Sequence, residues 1–351
     1  MKKPLSLLLA LMLLALPALS GCQRDKNDPL ARYEVEEITV SVDAGEGYPL
    51  IGRITMPKKA GGSPLPAIVL IHGSGPNDKD STIGANAPLR DLAFGLAERG
   101  VAVLRYDKRT YSHGAAMVAR GGPITLDDEV FADALAAVGL LKSRDDIDKG
   151  RVFILGHSMG GGLLSHINSL GVGCAGYIIM AGTSRPLWQL SAQQNLLIAD
   201  EYEQKGDKDY AEKIRLFVKN ERQKASLLDL ISHEDALALG GTIFGMPPAY
   251  LWQFGKIDSI GLHLSDGLPV LVLQGESDRQ VTMEDFELWK EGLSSHPNAA
   301  FASYPGLNHL FGAYEGQQTA FSDMVSVEYG QKTPIPEQVI DDIAGWVNGL
   351  P

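Results

Sequence analysis

The sequence predicts an α/β fold: a mostly parallel β-sheet flanked by helices, with an antiparallel hairpin at its N-terminal edge and a helical insertion late in the chain. Three observations carry this expectation. Five apolar runs, at residues 67–71, 101–104, 152–155, 177–180 and 270–273, do not alternate with polar residues, so both faces of each strand should be buried. Helical apolar patterns at 89–98, 126–142 and 163–170 separate the first four runs, and strands joined by helical crossovers lie parallel. The rhythm then breaks, because residues 183–268 carry no buried-strand signal.

The chain opens with Lys2 and Lys3, followed by an apolar run from Leu5 to Leu19 that only Ser6 and Pro17 interrupt. Such a run is too short to span a bilayer and suits a secretory signal. Leu19-Ser20-Gly21-Cys22 resembles the lipobox of bacterial lipoproteins, where the chain is cut before the cysteine and the cysteine is lipidated. The resemblance implies a signal peptide over 1–21, membrane attachment through Cys22 and a place in the bacterial envelope. Gln23 supplies no aspartate-type retention signal, which favours an outer membrane, facing the periplasm, in a host with two membranes. Residues 22–33 are polar and read as a tether.

Bulk composition narrows the classes. With 351 residues, 44% of them hydrophobic and 21% charged, the chain can bury a large core and an insertion. A formal charge of −12 argues against nucleic-acid binding, which needs a basic face. Cys174 is the one cysteine besides Cys22, so lipidation of Cys22 leaves no intramolecular disulfide, and Cys174 reads as a buried small hydrophobe. No histidine pair has the spacing of a zinc helix, so neither metal nor cofactor is expected.

Residues 35–42 alternate as a half-exposed strand, and 50–56 repeat the pattern after a Gly/Pro turn; together they read as a hairpin at a sheet edge. In the insertion, Leu187, Leu190, Leu197 and Ile198 recur at helical spacing, as do Ile214, Phe217, Val218 and Leu228. Residues 183–268 therefore read as a helical cap over the C-terminal edge of the sheet, dividing a core of 34–182 and 269–351. The aromatic segment at 244–252 can line a pocket under that cap, although such clusters more often form a cap's own core.

The chemistry centres on Gly156-His157-Ser158-Met159-Gly160. A buried strand precedes it and a glycine-opened helix follows, which is the context of a nucleophile elbow. Alone, a G-x-S-x-G match in so glycine-rich a chain arises by chance about once in four such sequences. A serine hydroxyl also needs a base, and the base an orienting acid. In a parallel sheet these are expected at later strand ends, in the order Ser, acid, His. Gly275-Glu276-Ser277-Asp278 follows the last buried run, and Pro305-Gly306-Leu307-Asn308-His309 follows a short strand at 300–304. Asp278 is the preferred acid, because Glu276 is closer to the strand end and suits a turn-holding role, while Asp285 falls inside the next helix. His309 is the preferred base; His113, His166, His233, His263 and His296 lie in helical or connecting segments. An oxyanion hole would combine the Met159 amide with that of Ser74 in His72-Gly73-Ser74-Gly75-Pro76, after the first buried strand, with His72 structural.

These motifs make the chain resemble an α/β-hydrolase from about residue 34 to Leu350. Gly73-Ser74-Gly75-Pro76-Asn77-Asp78, Leu104-Arg105-Tyr106-Asp107-Lys108-Arg109-Thr110 and Gly182-Thr183-Ser184-Arg185-Pro186-Leu187 are similar to a group of bacterial serine esterases described as dienelactone-hydrolase-like or serine-aminopeptidase-like. The resemblance implies a Ser158-Asp278-His309 triad and hydrolysis of small carboxylic esters with short to medium acyl groups. True dienelactone hydrolases carry cysteine where this chain has Ser158, and haloalkane dehalogenases carry aspartate, so neither activity is implied. A peptidase or amidase on the same triad is the alternative, and a non-catalytic lipoprotein binding module a further one. Asp107, Lys108 and Arg109 have no derivable catalytic role and read as an ion-paired turn at a strand end.

Overall fold

The computed structural model describes residues 34–58 and 62–350. The signal segment 1–21, Cys22 and the tether lie outside the described residues. Eight strands form one sheet: β1 (Val35–Val42), β2 (Leu50–Pro57), β3 (Leu65–Ile71), β4 (Ala102–Tyr106), β5 (Ile147–His157), β6 (Tyr177–Met180), β7 (Val270–Gly275) and β8 (Ala299–Tyr304). Their spatial order is β1-β2-β4-β3-β5-β6-β7-β8. Only β2 runs against its neighbours, and every pairing from β4 across to β8 is parallel. The five non-alternating runs are β3 to β7, and β4, β6 and β7 are buried at every position. β1, at the edge, mixes buried and exposed positions as a one-sided strand must.

Helices cover both faces: α1 (Pro88–Glu98), α2 (Arg109–Ala119), α3 (Ala132–Lys142), α4 (Leu164–Ile167), α5 (Leu187–Gln204), α6 (Lys208–Ser226), α7 (His233–Ala238), α8 (Pro248–Gly255), α9 (Ser259–Asp266), α10 (Met283–Gly292), α11 (Met324–Val327) and α12 (Glu337–Gly349). On one face Leu92 and Leu96 of α1 and Ile340 and Ile343 of α12 pack on Ile68, Leu70, Val103 and Leu155. On the other, Val138 and Leu141 of α3, Ile167 of α4 and Trp289 of α10 pack on Val69, Leu104, Ile154 and Val272. Each such side chain contributes about 1.5–3 kcal/mol by leaving water, which is why the sheet needs both layers.

Two helices depart from the sequence reading. α2 gives no signal because it buries only Arg109 and Met117, so it has no apolar stripe. The helix expected at 163–170 is present but irregular, the single α turn of α4 continuing into a π-helical turn over Asn168–Val172. It is preceded by a 3₁₀ turn over Ser158–Leu163 and broken by Gly171 at φ +96°. Residues 183–268 hold five helices, α5 to α9. Among them α9 lies against the turn after β5: its Ser259 hydroxyl donates to the Gly162 carbonyl at 2.5 Å, and the Ser165 hydroxyl donates to the Ser259 carbonyl at 3.2 Å.

The turn after β5 is where the sheet aims at function. β5 ends at His157, and Ser158 takes φ +56°, a left-handed conformation costly for any residue with a Cβ. A close backbone approach fixes that turn. A Cβ added at Gly160 would stand 2.6 Å from the His72 carbonyl oxygen and 2.7 Å from that of Ile71. The turn is thereby pressed against the end of β3. Because glycine carries no left-handed penalty, Ser158→Gly should be more stable than Ser158→Ala by about 1 kcal/mol. Urea unfolding of the two variants side by side measures this, and equal midpoints would show the turn to be unstrained.

Candidate active site

Parallel strands deliver their following loops to one edge, and the loops after β3, β5, β7 and β8 meet there. Ser158 stands at the head of β5. Gly73, after β3, faces it so closely that an added Cβ would lie 3.0 Å from Ser158 Cβ and 3.6 Å from its Oγ. Ser74, Ser158 and Met159 line one cleft, which Leu190, Phe244 and Met246 of the 183–268 segment close over.

Asp278 is buried at the end of β7 and almost fully committed. Its Oδ1 accepts the backbone N–H groups of Gln280 at 2.7 Å and Val281 at 3.0 Å. Its Oδ2 accepts His309 Nδ1–H at 2.7 Å and the Gln274 amide at 3.2 Å. Four donors hold the carboxylate in one orientation, and the His309 ring with it, so that the Nε2 edge points away from the acid. The loops carrying the two residues touch: a Cβ at Gly275 would lie 2.4 Å from the Leu307 carbonyl oxygen. Asn308 shapes the second loop by accepting the N–H groups of Leu310 at 3.0 Å and Gly312 at 3.2 Å.

His157 ties this pair to the elbow. Burial first, then the neighbouring His309, pushes its pKa down to about 3, so the ring is neutral. Its Nε2–H donates to the His309 carbonyl at 2.8 Å, a tautomer set by that partner, with the rings 4.7 Å apart. The residue before Ser158 thus grips the backbone of His309.

Three carbonyls of the loop after β3 converge on one side chain. The Asn77 side-chain amide donates to the carbonyls of Ser74 and Gly75, each at 3.0 Å, and reaches that of Gly73 at 3.4 Å. In a planar trans peptide the N–H opposes the C=O, so the amides of Ser74 and Gly75 face the other way. Met159, after the nucleophile candidate, lies in the first turn of the 3₁₀ segment, where backbone N–H groups have no partner within the helix. His72 is buried behind this loop. Burial, aided by Lys108, pushes its pKa to about 3 and keeps it neutral.

The remaining candidates separate from this edge. Glu276 is exposed and accepts the Ser303 hydroxyl at 2.8 Å. Asp285 is wholly buried in α10, where it pairs with Arg185 at 2.6 Å and accepts from Thr183 at 2.8 Å. His233 stacks on Trp252, and His263 packs edge-on to Tyr177. Burial pushes the Cys174 thiol up to about 12. Asp107, Lys108 and Arg109 are ion-paired: Asp107 with Lys79 at 3.4 Å, Lys108 with Glu129 at 3.1 Å, and Arg109 with Asp133 at 2.5 Å and with Glu46.

A second cavity of about 180 Å³ adjoins the first across Ser74 and Met246. Pro76, Ile124, Pro247 and Tyr250 give it apolar walls, and Thr110 and Glu129 a polar end. The aromatic segment is therefore divided. Phe244 and Tyr250 face the cavities, while Trp252 donates to the Ile231 carbonyl at 3.0 Å inside the segment's own packing. Three supporting residues were missed in the sequence: Gln274, Asn77 and His157. Gln274 alone had a visible signal, being a polar residue at the end of an otherwise apolar buried run.

A family profile described as the Alpha/beta hydrolase family matches residues 68–320. The esterase EstD of Thermotoga maritima is 34% identical over 317 residues, which cover 90% of this chain and 68% of that protein. Among solved structures, Est1E of Butyrivibrio proteoclasticus superposes with a TM-score of 0.54 at 17% identity, over 89% of this chain and 99% of its own. A puromycin-hydrolysing peptidase of Mycobacterium tuberculosis gives 0.54 at 16% identity, over 90% of this chain and 39% of its own. At such identities the two structures share the fold.

The two neutral histidines make stability depend on acidity with a definite sign. Their folded pKa values lie below the ordinary 6.5, so the unfolded chain binds more protons and stability rises with pH. Their contribution is complete above pH 6.5 and is lost as pH falls toward 3, at up to about 1.4 kcal/mol per pH unit for each group. Urea midpoints at pH 7, 5.5 and 4.5 should fall steadily in wild type and less steeply in His157→Asn. Identical slopes would mean that His157 is not held neutral.

Proposed function

The chain belongs to the alpha/beta hydrolase family, and on that premise we propose that it is a serine esterase acting on small carboxylic esters. The observation that carries the reading is the 2.7 Å hydrogen bond from His309 Nδ1–H to Asp278, set beside the elbow of Ser158. Ser158 Oγ passes its proton to His309 Nε2 and bonds to the ester carbonyl carbon, whose π electrons move to the oxygen. Amides of Met159 and Ser74 hold that oxyanion. Collapse expels the alcohol, which takes the proton from His309, and water repeats the sequence to free the acid. Asp278 keeps the imidazolium oriented and stabilised. The esterase EstD, at 34% identity, supports ester over amide chemistry.

Residues 183–268 serve in this reading as a cap, since Leu190, Phe244 and Met246 stand over Ser158. The acyl group is placed in the cavity of about 180 Å³, which supports short to medium chains; benzene fills an engineered apolar cavity of about 150 Å³. The enzyme is placed in the bacterial envelope, attached through lipid on Cys22, on the strength of the lipobox resemblance.

Purified enzyme should hydrolyse p-nitrophenyl butyrate at least tenfold faster than the decanoate or any aminoacyl anilide, and faster anilide turnover overturns the esterase reading. A fluorophosphonate probe should label wild type and leave Ser158→Ala unlabelled; a folded but unlabelled wild type would instead indicate a binding module. In a bacterial host fed radiolabelled palmitate, Cys22→Ser should lose all incorporation, and label retained in that variant removes the lipid anchor.

A further inference from the structure

Lys108 is a buried charge beside the candidate site. It is 2% exposed, and the ester chemistry above assigns it nothing. Its Nζ donates to the carbonyl oxygen of Gly73 at 2.9 Å and pairs with Glu129 at 3.1 Å. That carbonyl belongs to the same peptide unit as the N–H of Ser74. A cation on the oxygen of a peptide draws electron density toward it and leaves the N–H at the opposite end a stronger donor, as in any chain of hydrogen bonds.

We propose that Lys108 is a positioning residue of the reaction: its ammonium fixes and polarises the Gly73–Ser74 peptide, strengthening the amide that stabilises the oxyanion. The inference rests on the serine-esterase reading above, in which Ser158 is the nucleophile and Ser74 an oxyanion donor. Three features separate it from an ordinary structural ion pair. The Asn77 amide reaches the Gly73 carbonyl only at 3.4 Å while meeting its two neighbours at 3.0 Å, so Lys108 makes the short contact to this one carbonyl. The pair is buried, which makes the field of a charge on a dipole stronger than at a surface. Finally, Glu129 is held on every side: Thr110 donates to its Oε1 at 2.6 Å, and the Tyr250 hydroxyl to its Oε2 at 2.6 Å. Burial, and then Glu129 itself, raises the Tyr250 phenol well above its ordinary pKa and keeps that donor protonated. The counter-charge is therefore locked in place, and the ammonium rests on the carbonyl whose peptide N–H, that of Ser74, faces the opposite way.

The test compares p-nitrophenyl butyrate with its thiono analogue, in which sulfur replaces the carbonyl oxygen and accepts hydrogen bonds weakly. Wild type, Lys108→Met, Lys108→Met/Glu129→Gln and Lys108→Arg are each titrated to an end point with fluorophosphonate, so that kcat refers to active protein. The double variant removes both charges together and keeps the fold free of a lone buried carboxylate. The expected result is a fall in kcat of about 10-fold in both Lys108→Met variants, with KM within twofold and a reduced preference for the oxo over the thiono ester. Lys108→Arg, which restores a cationic donor, should recover most of both. Unchanged kcat in the double variant, or a loss in which the oxo/thiono ratio stays at the wild-type value, overturns the proposal. Failure of the underlying reading looks different: Ser158→Ala would then retain turnover in the same assay.

Discussion

The parallel pairing of β3 with β5 is the contact on which the rest of the site depends. Ile71 lies beside Gly156 in register, so the two strands finish together and release their loops side by side. Gly73 and Ser158 therefore emerge in van der Waals contact, and Gly160 presses against the carbonyls of Ile71 and His72. A slip of one residue in this register would separate the loop amides from the elbow, and no side-chain adjustment could restore them. The two helical layers matter to function because they hold that register by burying both faces of the sheet.

Charge is handled around this edge with little exposure to water. Asp278 is saturated by two backbone amides, the Gln274 side chain and His309. His72 and His157 remain neutral because burial disfavours the protonated ring. Lys108 and Glu129 sit together beneath the loop after β3 and link it to Tyr250 of α8. Such arrangements stabilise a fold little, since desolvation offsets much of the attraction. In the reading proposed above they fix dipoles in advance of a reacting oxygen, where reorganisation would otherwise raise the barrier.

Much of this was legible in the sequence, and the limits have physical causes. The five apolar runs without alternation marked β3 to β7, since a strand covered on both faces has no polar side to show. Ser158, Asp278 and His309 could be picked out because each follows a strand, and the structure brings the acid and the histidine into contact. α2 was invisible because a surface helix with two buried residues leaves no stripe. The helix at 163–170 was legible but its 3₁₀ and π turns were not, because Gly160, Gly161 and Gly162 pack by backbone, which periodicity does not register. His157 acts through a bond to a main-chain carbonyl 152 positions away, so nothing in its local sequence announces it, whereas Asn77 bonds carbonyls of its own loop two to four residues back. Lys108 stood out as a residue type, but its partner carbonyl is 35 positions away.

The place of the five helices between β6 and β7 also governs when the site can exist. Ser158 and its loop partner Gly73 come from strands already formed by the first half of the chain. Asp278 and His309 follow only after those helices, and their loops join by closing long segments onto the six strands that precede them. Closing such loops costs entropy before any contact rewards it. In the proposed triad the serine is therefore encoded 151 residues ahead of its base. On that reading the site is complete only once β7 and β8 are in place and His157 meets the His309 carbonyl.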